Sequence, residues 1–395
     1  MPPIPAFAWR DKLYAQIQSQ LYHPDTGLIY DYVTSREPER RFAHLPGPGE
    51  AARGFPNLCG WGTGMEDCAL TAGLMLAWAA ASGRADSPFV QSLAVGLSRC
   101  AAAHGRRGFV ARGLTPENGR GCYPNSSRDQ FTLAVYGMWR WLKAGPVADS
   151  MRELAQNFLR DVADYCAQTV TAANGFSLLR LDGGAAAGSK MWDCAPHEML
   201  RLPLIYGAAW DATGEERFRR LLHGCVEEGM RRTLEATPAS HPWWDMPLVQ
   251  MQCSLDFFAA SGVAPEIAGE VARALNLAGG FAASGMPRLL DEMAGWQGPW
   301  DELYDDWRRL HIRCQKVRLA GPLGLTGETG YVDRPLGVVY SGFFPAAGVT
   351  GESIFLNPIF RAAYAEPNRM LRTAGNVLAT MAMAPDLPEG AGAMA

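Results

Sequence analysis

The sequence predicts an all-α fold, an (α/α)6 toroid in which inner helices alternate with outer helices and long loops collect on one face. Three observations predict it. Uncharged helical segments alternate with amphipathic ones, an acidic residue stands at the front of the uncharged segments, and these acidic residues recur roughly 50 to 65 residues apart. Dividing 395 residues by six gives about 66 for each helix pair, so six pairs fit into a single domain, residues 1–395.

The amphipathic segments are predicted to be the outer helices. In residues 150–170, Leu154, Phe158 and Val162 form an apolar stripe and charged residues fill the opposite face. Residues 215–234 repeat this pattern. The predicted outer helices lie near Trp9–Leu21 and begin at Ser87, Ser150, Gly214 and Pro265.

The uncharged segments are predicted to be the inner helices, because a helix that is apolar all round belongs inside an assembly. They begin at Glu66, Asp129, Asp193 and Asp245. Three of them contain a glycine, at Gly73, Gly137 and Gly207, which costs about 1 kcal/mol against alanine unless close helix approach offsets it. The pattern blurs beyond residue 280, where 300–314 and 353–365 are predicted as the last inner helices and 373–383 as an outer one.

Three long segments rich in Gly, Pro, Asn and Ser connect outer helices to the following inner helices. They span residues 34–64, 105–128 and 172–191. Because all three run in the same direction between layers, we expect them to meet on one face. Long ordered loops that converge on helix ends are a common place for a functional site.

Composition excludes several classes of partner and cofactor. The net charge is −4, the pI is about 6.0, and no basic tract alternates with aromatic residues, so nucleic-acid binding is not predicted. No apolar run is long enough for a membrane span. The expected location is the cytoplasm, or the periplasm if an export signal had been removed. The nine cysteines are scattered singly, which favours core residues over disulfides, and without a CxxC or HExxH motif neither a metal nor another cofactor is expected.

The acidic helix starts are the candidate catalytic residues. Glycoside cleavage needs one carboxyl to protonate the leaving oxygen and a second group to attack or to activate water. Glu66, Asp67, Asp129 and Asp193 meet that need if neighbouring inner helices bring two of them together. The alternative is that each acid is an N-cap, the interpretation that suits Asp245 best.

Residues near these acids are predicted to bind a sugar. Aromatic rings stack on the apolar face of a pyranose, arginines bind a carboxylate through paired N–H groups, and histidines donate or accept hydrogen bonds. Each has an alternative role, as a packing residue, an ion-pair partner or a core histidine. The candidates are Trp61, Trp192, Trp243, Trp244, Tyr123, Asn125, Arg128, Arg201, His197 and His241. His197 was expected one helical turn below Asp193, on the same face.

The segments CGWGTGMEDC (59–68), YPNSSRDQFTLAVYG (123–137) and MWDCAPHEMLRLPLIYGAAWDATGEERF (191–218) resemble the (α/α)6-barrel glycosidases that act on uronic-acid sugars. These are the unsaturated glucuronyl and rhamnogalacturonyl hydrolases of glycoside hydrolase families 88 and 105, and the β-glucuronidases of family 154. The resemblance implies Asp129 as principal acid/base and Asp67 or Glu66 as its partner. This sequence differs from the unsaturated glucuronyl hydrolases after Asp129, where Gln-Phe-Thr follows and a threonine is expected almost at once. Hydrolysis of a saturated glucuronide is therefore at least as well supported as hydration of an unsaturated one.

The predicted function is that of an exo-acting glycosidase on oligosaccharides that carry saturated or 4,5-unsaturated glucuronic acid. One rival is a sugar 2-epimerase on the same toroid that uses histidines, with His197, His241 and His311 as candidates. A second is a polysaccharide lyase. The non-enzyme alternative is a helical scaffold in which every carboxylate is a cap.

Overall fold

The computed structural model describes residues 14–15, 17–145, 147–237, 246–278, 280–281 and 306–308. Most of the predicted late helices, at 300–314, 353–365 and 373–383, lie outside the described residues. His241, Trp243, Trp244, Asp245 and His311 also lie outside them.

The described chain is mostly helical, which confirms the all-α class. Its α-helices are α1 (Pro48–Ala52), α2 (Cys68–Ala81), α3 (Pro88–Cys100), α4 (Arg128–Lys143), α5 (Asp149–Thr169), α6 (Arg201–Thr213), α7 (Glu216–His223), α8 (Val226–Thr233) and α9 (Met246–Ser261). Residues 268–278 are also helical. A π-helical turn spans Ile17–Leu21, and 3-10 turns span Pro38–Arg40, Ala172–Asn174, Pro196–Glu198 and Pro265–Ile267.

Most helix starts agree with the sequence prediction, and one does not. The outer helix α3 begins behind Ser87, whose hydroxyl accepts a hydrogen bond from the Val90 N–H. The inner helix expected from Asp193 begins instead at Arg201. Pro203 explains the difference, because a proline is tolerated in the first turn of a helix but would break the backbone hydrogen bonding of one that started at Asp193. The outer helix expected from Gly214 is divided into α7 and α8.

The helices form two layers. The helices that contain a long uncharged segment contact one another, α2 against α4, α4 against α6, and α9 against both α4 and α6. The amphipathic helices lie outside them: α3 packs on α2, α5 packs on α4 and α6, and α7 packs on α6. The alternation of inner and outer helices predicted from charge is therefore present in this part of the chain.

Two glycines allow α2 and α4 to approach at backbone distance. A Cβ added to Gly73 would lie 2.2 Å from the Leu133 carbonyl oxygen, and one added to Gly137 would lie 1.9 Å from the Gly73 carbonyl oxygen. These positions confirm the expected close approach. Gly207 differs, because an added Cβ would meet the ring of Phe257 at 2.8 Å, a side chain and not a backbone.

Two antiparallel hairpins lie in the connections between helices. Strands β1 (Tyr22–His23) and β2 (Leu28–Ile29) pair near the start of the described chain. Strands β3 (Ser177–Leu179) and β4 (Ala185–Lys190) pair within the segment 172–191. In the glycine-rich stretch 183–188, residues 183–184 form a bend and residues 185–188 belong to β4.

The eight described cysteines are free thiols, and all but Cys194 are buried, which confirms them as core residues; Cys314 lies outside the described residues. Among the residues that the structure describes, no His, Cys, Asp or Glu side chains are grouped so as to hold a metal ion. None of the helices in the same ranges is long and apolar enough to cross a membrane.

Candidate active site

The three long connections meet above the starts of α2 and α4. The Asn125 N–H donates to the Leu58 carbonyl at 3.1 Å, which joins the first connection to the second. The Leu181 N–H donates to the Pro124 carbonyl at 2.8 Å, which joins the second to the third. The predicted convergence of these loops on one face is confirmed.

Neither of the two leading carboxylates caps its own helix. Asp67 stands at the N-cap position of α2, yet its side chain makes no capping hydrogen bond. Asp129 lies in the first turn of α4, behind Ser127 at the N-cap. A different residue, Asp31, takes the amide protons at the start of α2: its Oδ2 accepts from the Glu66 and Asp67 N–H groups at 2.9 and 3.2 Å. The cap interpretation therefore does not account for Asp67 or Asp129.

Asp67 belongs to a group with an excess of carboxyls, which we call the acidic cluster: Asp31, Glu66, Asp67, Arg112 and Gln130. Asp67 Oδ1 accepts hydrogen bonds from Gln130 Nε2 at 2.8 Å and from Arg112 Nη1 at 3.3 Å. Glu66 is buried and accepts a hydrogen bond from the Gly62 N–H. The cluster thus holds three carboxyls and one arginine, and Arg112 contacts the carboxyl of Asp67 and the backbone carbonyl of Glu66.

This excess of negative charge favours the protonated form of Asp67. The pKa of Asp67 is raised to about 7. Burial contributes most of the rise and the nearby charges of Glu66 and Asp129 add to it, while Arg112 and the Gln130 hydrogen bond oppose it. Burial likewise raises the pKa of Asp31 well above its ordinary value, with Asp67 and Glu66 adding to the rise. The Asp67 side chain remains 22% exposed, so a substrate can reach it.

Asp129 belongs to a group in which two arginines balance two carboxylates, which we call the basic cluster: Asp129, Arg128, Arg201, Glu198 and Gln250. Asp129 Oδ1 accepts a hydrogen bond from Gln250 Nε2 at 2.8 Å and lies 3.7 Å from Arg201 Nη2. Glu198, which is 5% exposed, lies 2.7 Å from Arg128 Nη2 and 3.0 Å from Arg201 Nη1. Two arginines surround each of these carboxylates.

The cations favour the ionised form of Asp129. Burial by itself would raise the pKa of Asp129, but Arg201, Arg128, the Gln250 hydrogen bond and Arg112 outweigh burial and lower it. The same arginines act on His197: burial first, then Arg201 and Arg128, lower the pKa of His197 to about 3, so its imidazole is neutral.

The two clusters are neighbours because α4 contributes consecutive residues to them. Asp129 belongs to the basic cluster and Gln130 to the acidic one. Their charges act on each other, since Asp129 raises the pKa of Asp67 and Arg112 lowers that of Asp129.

Several buried polar atoms at this rim have no hydrogen-bond partner among the described residues. The three guanidinium nitrogens of Arg201 are among them, although this side chain is only 1% exposed and lies within ion-pair distance of Glu198. The others at this rim are Gln250 Oε1, Asn125 Oδ1, Ser127 Oγ, Arg112 Nε and Asp31 Oδ1. Buried donors and acceptors are normally satisfied, so this group indicates a place for bound water or a polar ligand.

Two predicted site residues lie where they do not serve the predicted role. Asp193 is a loop residue with φ of +49°, 58% exposed at its side chain and paired with Lys190 and Arg232 at 3.1 Å each. Tyr123 is fully buried and donates its hydroxyl to the Phe55 carbonyl at 2.6 Å. We assign Asp193 to loop structure and Tyr123 to the core. Asn125 is buried as well: its side-chain amide donates to the Cys59 sulfur, and its Oδ1 is one of the unpartnered acceptors at the rim.

His197 is not placed on a helical face shared with Asp193, as was expected. It lies in the 3-10 turn Pro196–Glu198, buried, with Nε2 3.8 Å from Glu198 Oε1. Of the predicted aromatic platforms, Trp61 lies 5.7 Å below the Arg112 guanidinium and Trp192 is half-buried against the core. His241, Trp243 and Trp244 lie outside the described residues, so their predicted roles stay predictions.

Five residues of the two clusters were not among the sequence-predicted site residues: Asp31, Arg112, Gln130, Glu198 and Gln250. Glu198 directly follows His197 and Gln130 directly follows Asp129. Their position next to predicted site residues could therefore have identified them from the sequence. The other three come from a strand end, a loop and the distant helix α9, and no local pattern marks them.

No protein-family model, no curated protein and no solved structure matches the chain.

Proposed function

We propose that the two clusters form the active site of a glycoside hydrolase that acts on sugars carrying a uronic acid. The observation that carries the proposal is the pair Asp67 and Asp129. Their carboxyls lie at the starts of two contacting inner helices, and their surroundings move the pKa of one upward and that of the other downward. Paired carboxyls with opposed pKa shifts are the arrangement that glycoside hydrolysis uses.

The charges suggest which carboxyl does which step. Asp67 is the acid, because it holds its proton up to about pH 7 and can deliver it to the leaving glycosidic oxygen. Asp129 stays ionised, and it attacks the anomeric carbon or takes a proton from water. This reverses the emphasis of the family resemblance, in which Asp129 is the principal acid/base.

The arginines suggest what the substrate carries. Arg201 is almost fully buried and its guanidinium nitrogens have no hydrogen-bond partner in the described part of the chain. Arg128 lies beside it through their shared partner Glu198. A substrate carboxylate would satisfy these N–H groups with the paired bonds that guanidinium and carboxylate favour. Gln250 Oε1 is an acceptor available for a sugar hydroxyl.

The closed toroid and the exo mode of attack are part of the same proposal. The two layers of the described helices, and the loops that meet over the inner-helix starts, support a single (α/α)6 catalytic domain. Loops that wall the site on one face favour removal of a terminal sugar over cleavage within a chain.

His197 does not support the epimerase alternative. An epimerase base must take a proton from carbon, and a buried imidazole beside two arginines, with its pKa lowered to about 3, is a poor acceptor. A lyase would also bind a uronate carboxylate, so it is distinguished by its product.

The test is an assay of the full-length protein with three substrates. We expect chromophore release from a nitrophenyl β-glucuronide, or loss of the ultraviolet absorbance of a 4,5-unsaturated glucuronyl disaccharide if the sugar is hydrated. The matched control is the corresponding nitrophenyl glucoside, which lacks the carboxylate and should be a poor substrate. A gain of ultraviolet absorbance on a uronate polysaccharide would identify a lyase and overturn the proposal. Turnover of neither glucuronide would also overturn it.

A further inference from the structure

We infer that Gln130 and Gln250 are positioning residues, each of which holds one catalytic carboxyl through its Oδ1. The catalytic part of this inference rests on the proposed function. The two amides make equivalent contacts: each Nε2 donates at 2.8 Å to Oδ1 of an aspartate on another inner helix.

Gln130 is held at both ends of its amide. Its Oε1 accepts from the Leu70 N–H of α2 at 2.9 Å, and its Nε2 donates to Asp67 Oδ1 and to the Glu66 carbonyl at 3.3 Å. The side chain is fully buried. Because its oxygen is fixed by a backbone N–H, the amide cannot turn over, and only an N–H group faces Asp67.

This arrangement fixes where the proton of Asp67 resides. Oδ1 accepts from two N–H donors, Gln130 and Arg112. A carboxyl oxygen that accepts from both cannot carry the proton without losing one of them, so the proton of the acid form is on Oδ2.

Gln250 does the same for Asp129 from α9. It is fully buried, and its N–H group meets Asp129 on the same oxygen that faces Arg201 and Arg128, at 3.7 and 3.9 Å. All three donors therefore lie on the Oδ1 side. We assign the attack on carbon or the activation of water to the other oxygen, Oδ2.

The experiment uses Gln130→Met, Gln130→Glu and Gln250→Met, with Gln252→Met as the control. Gln252 is another buried glutamine of α9, and within the described part of the chain no hydrogen bond joins it to either carboxyl. Gln130→Glu keeps an oxygen for the Leu70 N–H, so it separates a loss of positioning from a failure to fold. Thermal unfolding of every variant shows which are folded.

Two readouts are measured on the folded variants. The first is the pH dependence of kcat/KM for the nitrophenyl glucuronide. The second, which needs no activity, is the titration of the Asp67 and Asp129 carboxyl carbons by nuclear magnetic resonance, with each signal identified by its absence in Asp67→Asn or Asp129→Asn.

Both Gln130 variants should raise the pKa of Asp67 by about one unit, because the N–H donor that favours the carboxylate is gone. The titration of Asp67 and the high-pH limb of the kcat/KM profile should both shift to higher pH by that amount. Gln250→Met should move the low-pH limb, and the titration of Asp129, upward by a similar amount. Gln252→Met should move neither.

The two proposals fail in different ways. If the carboxyl titrations move as stated but no glucuronide is turned over, the positioning stands and the proposed function falls. The positioning inference is overturned, whatever the activity, if the pH at which each aspartate titrates is the same in the folded Gln130 and Gln250 variants as in the wild type. It is also overturned if Gln252→Met shifts these titrations by as much as the other variants do.

Discussion

The acidic and basic clusters are built from the same kinds of side chain and have opposite effects. The acidic cluster holds three carboxyls, Asp31, Glu66 and Asp67, and one arginine, Arg112, which contacts the Asp67 carboxyl. In the basic cluster two arginines lie between Asp129 and Glu198. Both leading aspartates stand at the start of an inner helix, and both accept a glutamine N–H at 2.8 Å.

The difference shows that a helix start by itself does not decide what an aspartate does. The positive end of a helix favours the ionised form of both residues. The local count of carboxyls against guanidinium groups then separates them, with the pKa of Asp67 raised and that of Asp129 lowered. Charge balance over a few ångströms, and not secondary structure, creates the proposed acid and base.

The largest expected effect tests whether the basic cluster holds the reactive anion. Asp129→Asn should lower kcat/KM by about 10³-fold, because the ionised carboxyl is lost, with little change in melting temperature since Arg201 keeps Glu198 as a partner. The measurements are steady-state kinetics and thermal unfolding. A large fall in melting temperature with activity retained would restore the interpretation of Asp129 as a structural residue.

The second prediction concerns the ion pairs that hold the basic cluster together. Glu198→Gln should destabilise the protein by about 3–5 kcal/mol, because it leaves the buried Arg201 without its nearest carboxylate. Urea unfolding measures this. Glu228→Gln is the matched control: Glu228 pairs with Arg231 at 2.7 Å but is 48% exposed, so its loss should have a much smaller effect on the free energy of unfolding. Equal losses in the free energy of unfolding for the two variants would show that the ion pairs of the basic cluster are as exposed to solvent as those on the surface.

The third prediction concerns the crossing of α2 and α4, which sets the spacing between the clusters. Gly137→Ala would place a Cβ 1.9 Å from a backbone oxygen, so it should cost about 1–3 kcal/mol and also reduce activity. Gly207→Ala meets the ring of Phe257, which can shift, and should cost less. Urea unfolding and kinetics of the two variants make the comparison. The reverse order would mean that the crossing does not constrain the two clusters.

The last prediction is a pH dependence of stability from the acidic cluster. Since the pKa of Asp67 is raised from 3.8 to about 7, the folded state holds a proton that the unfolded state has lost, and stability falls as pH rises across this window. Asp31 contributes a fall of the same sign. Asp129 acts oppositely, and its contribution is lost as pH decreases through its lowered pKa. Thermal unfolding between about pH 4 and pH 8 should show a shallower fall for Asp67→Asn than for the wild type; an unchanged slope would contradict the raised pKa.

Much of the site was predictable because it is local in sequence. Asp67 follows Glu66 at the front of an uncharged helix, and Arg128 stands directly before Asp129, so the pattern of charge along the chain marks them. Arg201 was marked only as a cation near these acids. Asp193 was misplaced, because equal spacing of acids suggested a helix start that Pro203 moves to Arg201.

The partners that give these residues their character were not predictable in the same way. Gln250 reaches Asp129 from 121 residues away, and Arg112 reaches Asp67 from 45 residues away in a loop. Asp31 takes over the start of α2 from a strand end. No local period relates such residues, since their contact depends on how the loops fold over the helices.

The sequence alone determined the class of the fold and the helices on which the acids stand, because the presence or absence of charge along a helix fixes which layer it occupies. It also determined where α2 and α4 can approach, because only glycine at Gly73 and Gly137 leaves room for the opposite backbone. Tertiary structure alone decided which aspartate is protonated. That property depends on the sum of burial and nearby charges in space, and those charges come from parts of the chain that only folding brings together.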